Sequence, residues 1–148
     1  MGKSINIISS STETGDAWKQ LIEGVFPDLT VRTYRSLELS SLSQEDLATS
    51  LWIIEVWNIY DSNYLNNPVG FRTALQLAEN WPILLVFNMV WRDDFPEEGP
   101  FWITYDFKGS LKDKLSQIMN THPQGKAPLE ELLRKYPELG KVPKNTHH

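Results

Sequence analysis

The chain has 148 residues, 41% of them hydrophobic and 22% charged, a balance typical of one globular domain rather than a disordered segment. Its formal net charge of -5 argues against nucleic-acid binding, which requires a surface of clustered lysine and arginine. There is no cysteine, so disulfides and thiolate metal sites are excluded, and no apolar stretch approaches the ~18 residues of a membrane span. The N-terminal segment has too short an apolar run for a secretory signal, and we expect a cytoplasmic protein.

Strand and helix patterns alternate in the first third of the chain. The segment SINII, at residues 4–8, predicts a short strand, and LTVRTY, at residues 29–34, alternates apolar and polar residues as a strand near a sheet edge does. Between them we expect a helix, capped by Thr14 or Asp16, because apolar residues recur at helical spacing: Trp18, Leu21, Ile22 and Val25. A capping-box pattern in SLSQEDLATS, at residues 41–50, predicts a short second helix.

Strand and helix patterns continue to alternate along the rest of the chain. Three apolar segments predict strands: LWIIEVW at 51–57, PILLVFNMV at 82–90 and FWITYDF at 101–107. Two helical stripes lie in GFRTALQLAEN, at residues 70–80, and in SLKDKLSQIM, at residues 110–119. The polar stretch with Asn67 and Pro68, and residues 91–100, are predicted to be loops.

Five strands alternating with helices predict an α/β fold of three layers, in which a parallel sheet lies between two layers of helices. The common five-stranded version is the flavodoxin-like order 2-1-3-4-5. The composition shifts after Pro123, so residues 1–123 are predicted to form the α/β domain. Residues 124–148 are predicted to be a linker, a short amphipathic helix opening at Pro128 and a tail.

In such sheets ligands bind beyond the carboxyl ends of the strands, and Glu55 lies there, near the end of an otherwise apolar strand. The span from Ile5 to Met119 resembles the receiver domain of two-component response regulators. SLWIIEV is similar to the stretch that ends in the family's phospho-accepting aspartate, PILLVFN resembles its fourth strand, and FKGSLKDKLSQI resembles its last loop and helix. The resemblance places Glu55 at the position of that aspartate.

The sequence departs from the receiver pattern at the residues that carry phosphotransfer. A receiver has an acidic pair that holds Mg²⁺ after its first strand, and this chain has Ser9, Ser10 and Ser11 there. The family's hydroxyl switch residue falls at Phe87 or Asn88. Its lysine falls at Phe107, with Lys108 one residue late. The resemblance therefore implies a pseudo-receiver, a non-enzymatic domain of bacterial signalling that acts by protein contact and has neither catalytic residues nor a metal site.

Two interpretations of Glu55 stay open at this stage. It holds a permanently charged state at the acceptor position, or it is a strand-end carboxylate that faces water. A small enzyme whose site has no local motif is a further alternative.

The main alternative is a flavodoxin-like domain that binds FMN or another phosphorylated ligand. Flavodoxins hold the phosphate with a loop rich in serine and threonine at a helix N-terminus, and the first loop here offers such residues: Ser9, Ser10, Ser11, Thr12 and Thr14. Candidate aromatic residues for stacking on the flavin ring follow the third and fourth strands: Trp57, Tyr60, Trp91 and Phe95. Glu13 and Asp16 would repel a phosphate in that loop.

A pseudo-receiver would meet a protein partner, or a second copy of itself, through its last strand and the flanking helices. The resemblance places four residues on that face: Phe101, Trp102, Tyr105 and Leu111. The helix near the C-terminus has an apolar stripe that must be buried, and it covers this same face or docks on another chain: Leu129, Leu132, Leu133 and Tyr136.

Overall fold

The computed structural model describes residues 4–9, 11–34, 49–59, 67–69, 71–87 and 95–140. Its strands are β1 (Ser4–Ile8), β2 (Thr30–Tyr34), β3 (Leu51–Ile59), β4 (Asn67–Val69), β5 (Ile83–Phe87), β6 (Glu98–Gly99) and β7 (Trp102–Thr104). Its helices are α1 (Thr12–Val25), α2 (Phe71–Leu77), α3 (Leu111–Met119) and α4 (Ala127–Lys135), followed by a 3₁₀ turn at Pro137–Gly140. The helix predicted within residues 41–50 falls mostly outside the described residues.

The strands form one sheet in the order β2-β1-β3-β5-β7-β6. The first five of these run parallel, which confirms the predicted α/β fold and its order 2-1-3-4-5. The chain starts at an interior strand, moves to the edge strand β2 and then crosses back over β1 to β3, so connections of one hand place helices on both faces of the sheet.

Two short antiparallel strands were not predicted. β4 pairs with the last residues of β3, and β6 pairs with β7 at the sheet edge, so the predicted loops around Pro68 and at residues 91–100 are wrong in part. Proline and glycine look like loop residues in a sequence, but Pro68 and Gly99 lie in edge strands, where a missing N–H or side chain is tolerated. The last parallel strand is also shorter than predicted, since Tyr105 and Asp106 lie in a turn.

The sheet has an apolar core on each face because successive side chains of its central strands point to opposite sides. Along β3, Trp52, Ile54 and Val56 face the side covered by α2 and α4, which we call the α2/α4 face. Leu51 and Ile53 face the side of α1 and α3, the α1/α3 face.

Residues after Pro123 take part in the core. The side-chain amide of Gln124 accepts a hydrogen bond from the Ile83 N–H (3.2 Å) and donates one to the Ile83 carbonyl (2.9 Å), which holds the segment at the start of β5. Four apolar side chains from α4 and the residues after it are then buried in the core of the α2/α4 face: Leu129, Leu132, Tyr136 and Leu139. This helix covers the face that also contains Phe101.

Candidate functional site

Ser9 and Glu55 lie side by side at the carboxyl edge of the sheet. Ile8 is opposite Ile54 in the parallel pairing of β1 and β3, so the next residues, Ser9 and Glu55, are level with each other. They follow the alternation that puts Leu51 and Ile53 on the α1/α3 face, and both side chains therefore belong to that face. The resemblance to receivers places the acidic pair and the phospho-accepting aspartate at this level.

Glu55 is buried, with only 1% of its surface exposed. The interpretation of this residue as a carboxylate facing water is therefore wrong. β3 does not end at Trp57, as predicted, but continues to Ile59, and its last three residues pair with β4. The carboxylate is thus enclosed within a longer strand than the sequence indicated, and Glu55 is not without an interaction partner.

The hydroxyl groups of Ser9 and Ser11 form hydrogen bonds within the first loop and the first turn of α1. Ser9 Oγ donates a hydrogen bond to the Ser11 carbonyl (2.9 Å). Ser11 Oγ accepts one from the Thr14 N–H (3.1 Å) and donates one to Thr14 Oγ1 (3.0 Å). Ser11 is therefore the N-cap of α1, rather than Thr14 or Asp16 as predicted, because its side chain satisfies one of the free N–H groups of the first turn.

The close approach of α1 seals Ser9 from solvent. Ser9 is fully buried, and a Cβ atom at Gly15 would lie 2.7 Å from its Oγ. Only a glycine lets the first turns of α1 pass this close to the end of β1. Thr12 is exposed on α1, and Ser10 lies outside the described residues.

The lysine of the loop after β7 is exposed and lies beside Glu97. Lys108 is largely exposed, its Nζ is 3.9 Å from the Glu97 carboxylate, and its backbone N–H donates to the same carboxylate (3.1 Å). Phe107, at the position the resemblance gives to the receiver lysine, is half-buried and packs against the core of the α1/α3 face. Thr104 is buried, and its hydroxyl donates to the Asp106 carboxylate.

The described residues at this edge do not fit the magnesium ion that receivers hold. A hard divalent cation takes oxygen ligands and favours carboxylates, whereas Ser9 contributes a hydroxyl group that is already donating to a carbonyl. Within the described part of the chain, no three acidic or histidine side chains converge to hold a metal.

The candidate flavin-stacking residues are described only in part. Tyr60 and Trp91 lie outside the described residues, as does the side chain of Trp57. Phe95 is packed among three other rings of the α2/α4 face, with centroid distances of 4.9 Å to Phe87, 5.1 Å to Tyr136 and 5.5 Å to Trp102. Binding of FMN stays a prediction.

The four residues of the expected interaction face lie on two sides of the sheet. Phe101 is buried in the core of the α2/α4 face, and Trp102 packs against that core. Tyr105 is 59% exposed, and it lies with Leu111 on the other side, where both line a cleft.

This cleft, which we call the α1/α3 groove, is a feature that the sequence did not predict. It has a volume of about 320 Å³, its floor contains Val86 and Ile103, and Trp18 and Leu21 of α1 form one wall. The apolar stripe of α1 is wider than the contact that this helix makes with the sheet. Ile22 is fully buried, whereas Leu21 is 50% exposed.

Comparisons with known proteins give a structural match without a sequence match. No protein-family model matches the chain, and no curated protein matches it significantly in sequence. The structure is similar to the signal receiver domain of a DNA-binding response regulator protein (merR) from Colwellia psychrerythraea 34H, with a TM-score of 0.56 and 13% sequence identity. The match covers 80% of this chain and 99% of that one. No helix among the described residues has the length and apolar character to cross a membrane. The resemblance is confirmed for the fold: this chain has the fold of a response-regulator receiver domain.

Proposed function

We propose that this chain is a receiver-like signalling domain that acts by contact with a protein partner and does not accept a phosphoryl group. The observation that carries the proposal is the position of Ser9 beside Glu55 at the carboxyl edge of the sheet. Where the resemblance places a carboxylate for Mg²⁺, β1 is followed by Ser9, which is fully buried and whose hydroxyl donates to the Ser11 carbonyl.

Phosphoryl transfer requires cations that neutralise the negative charge developing on the transferred oxygens. Neither a carboxylate partner for Mg²⁺ at Ser9 nor a lysine directed at Glu55 is available among the described residues. Lys108 lies beside Glu97, and Phe107 occupies the lysine's position. Phosphoryl transfer to Glu55 would therefore proceed without the magnesium ion and the lysine that usually supply positive charge in a receiver.

In this proposal Glu55 is a buried carboxylate at the acceptor position, and phosphorylation does not modify it. In this proposal the domain has one fixed state, and its surface is always competent to bind the partner. The partner, the signalling role, the cytoplasmic location and the bacterial origin all stay predictions.

Incubation with acetyl phosphate and Mg²⁺, followed by intact-mass spectrometry, tests the proposal. We expect no gain of a phosphoryl group, by the wild-type chain or by the matched variant Glu55→Gln. An adduct on the wild type that Glu55→Gln loses would contradict the proposal, because it would show that Glu55 is a working acceptor.

A further inference from the structure

The carboxyl edge of the sheet is closed to solvent at Ser9 and Glu55. These two residues are level neighbours on the α1/α3 face, and their exposed fractions are 0% and 1%. A reagent that modifies a carboxylate, or an ion that binds one, must reach at least one of its oxygens. Ligands usually enter an α/β sheet at the carboxyl ends of its strands, but the folded chain does not offer that access at Glu55.

The first turn of α1 packs on Ser9. The N–H group of Ser9 donates to the Tyr34 carbonyl (2.9 Å), and its hydroxyl donates to the Ser11 carbonyl (2.9 Å). The same Ser11 carbonyl accepts a hydrogen bond from the Gly15 N–H (3.0 Å) in the first turn of the helix. One carbonyl group thus joins the buried end of β1 to the start of α1, and the Ser9 hydroxyl is part of the surface on which the helix packs.

Gly15 allows α1 to lie this close to Ser9. A Cβ atom at Gly15 would lie 2.7 Å from Ser9 Oγ, a distance that real Cβ atoms do not show. The next atoms that it would meet belong to Thr33, at 3.5 Å and 3.6 Å, which is ordinary van der Waals contact. Gly24 of the same helix is the opposite case, because a Cβ atom there would meet no described atom within 4 Å. The missing side chain of Gly15 is therefore needed for the contact with the Ser9 hydroxyl.

We propose that Gly15 is a positioning residue, which holds α1 against Ser9 and thereby closes the Glu55 position to phosphodonors, metal ions and phosphate-containing ligands. This inference rests on the proposed function and deepens it, because it adds a steric barrier to the missing positive charge. The serine-rich loop then serves to pack a helix over the acceptor position, and it is not itself a ligand site.

Chemical labelling of carboxylates tests the barrier. The folded full chain is treated with a water-soluble carbodiimide and glycine ethyl ester, and peptide mass spectrometry gives the extent of labelling at each carboxylate. We expect Glu55 to be labelled at least roughly tenfold more slowly than the exposed Asp16 and Glu23, because its labelling requires a local opening of the structure. Gly15→Ala should raise the rate at Glu55 roughly tenfold, since the new methyl group pushes α1 away from Ser9. The matched control Gly24→Ala should leave this rate unchanged.

The double variant Ser9→Ala with Gly15→Ala separates this contact from general destabilisation. Ser9→Ala removes the Oγ atom that the new methyl group meets, so Gly15→Ala should have little effect on Glu55 labelling or on the thermal midpoint in that background. If Gly15→Ala alone does not fold, recovery of folding by the double variant supports the same conclusion.

Three results would each overturn the inference: fast labelling of Glu55 in the wild type, no increase with Gly15→Ala, or an equal defect when Gly15→Ala is made in the Ser9→Ala background. The acetyl phosphate experiment decides the proposed function separately, because a chain that gains no phosphoryl group can still have a Glu55 that the carbodiimide reaches.

Discussion

The two faces of the sheet differ in how completely their helices cover them. On the α2/α4 face, the C-terminal helix and the aromatic rings around Phe95 leave Phe101 only 4% exposed. On the α1/α3 face, the groove between the helices leaves Leu21 half exposed. The same kind of residue, a leucine in an apolar helical stripe, is therefore buried in the core on one face and half exposed to solvent on the other.

The largest loss of stability is expected from a leucine-to-alanine substitution on the α2/α4 face, compared with the same substitution on the α1/α3 face. Leu129 of α4 is fully buried, and Leu129→Ala should lower the free energy of unfolding by about 2–5 kcal/mol, because it removes apolar contacts and leaves a cavity. The matched control Leu21→Ala should cost less than about 1 kcal/mol. Urea unfolding followed by tryptophan fluorescence measures both values. Equal losses would show that the two faces are covered alike.

A smaller loss of stability is expected at Lys114, which connects α3 to the edge strand β6. The Lys114 ammonium group is buried and donates to the Glu98 carboxylate (2.9 Å) and to the Gly99 carbonyl (2.5 Å), which fastens β6 to α3. Lys114→Ala should cost about 2 kcal/mol, since it leaves that carbonyl without its donor.

Lys108 is the control for this comparison. It is also paired with a glutamate, but its side chain is 79% exposed, and Lys108→Ala should change stability by less than about 0.5 kcal/mol. Thermal unfolding of both variants gives the difference. A similar loss in both would mean that burial does not govern the strength of these pairs.

The loss of stability at the cap of α1 should be smaller than the loss at Lys114. Ser11→Ala should cost about 1 kcal/mol, because the Thr14 N–H loses its acceptor, and Ser11→Asp should restore most of it. Chemical denaturation of the two variants measures this. The same residue tests the flavodoxin-like alternative. We expect FMN fluorescence to stay unquenched by the wild type, and quenching that Ser11→Ala removes would instead assign this loop to phosphate binding.

Much of the fold could be predicted from local pattern. The continuous apolar runs at β3 and β5 predicted strands buried on both faces, and the alternation with helices predicted the parallel order. The ends of the strands and the two short edge strands were harder to predict. Pro68 and Gly99 are typical loop residues, and they lie in strands only because neighbouring strands pair with them. The sequence predicted which residues lie at the candidate site, but not their burial or their hydrogen bonds. The pattern predicted a strand only as far as Trp57, and nothing in it indicates that the strand continues to Ile59 or that the Glu55 carboxylate is buried.

The sequence by itself determined the five parallel strands and the helices of the described chain, because hydrophobic periodicity is a local property. The alternation of strands with helices then fixed the strand direction, and with it which residues meet at the carboxyl edge of the sheet. Only the tertiary structure decided which apolar helical stripe is covered by other residues. It also decided that the hydroxyl groups of Ser9 and Ser11 form hydrogen bonds near the first loop, and that Lys108 lies beside Glu97. The physical reason is that burial and hydrogen bonding depend on which groups lie nearby in space. Leu21 and Leu129 have the same local pattern, and they differ only in what packs against them.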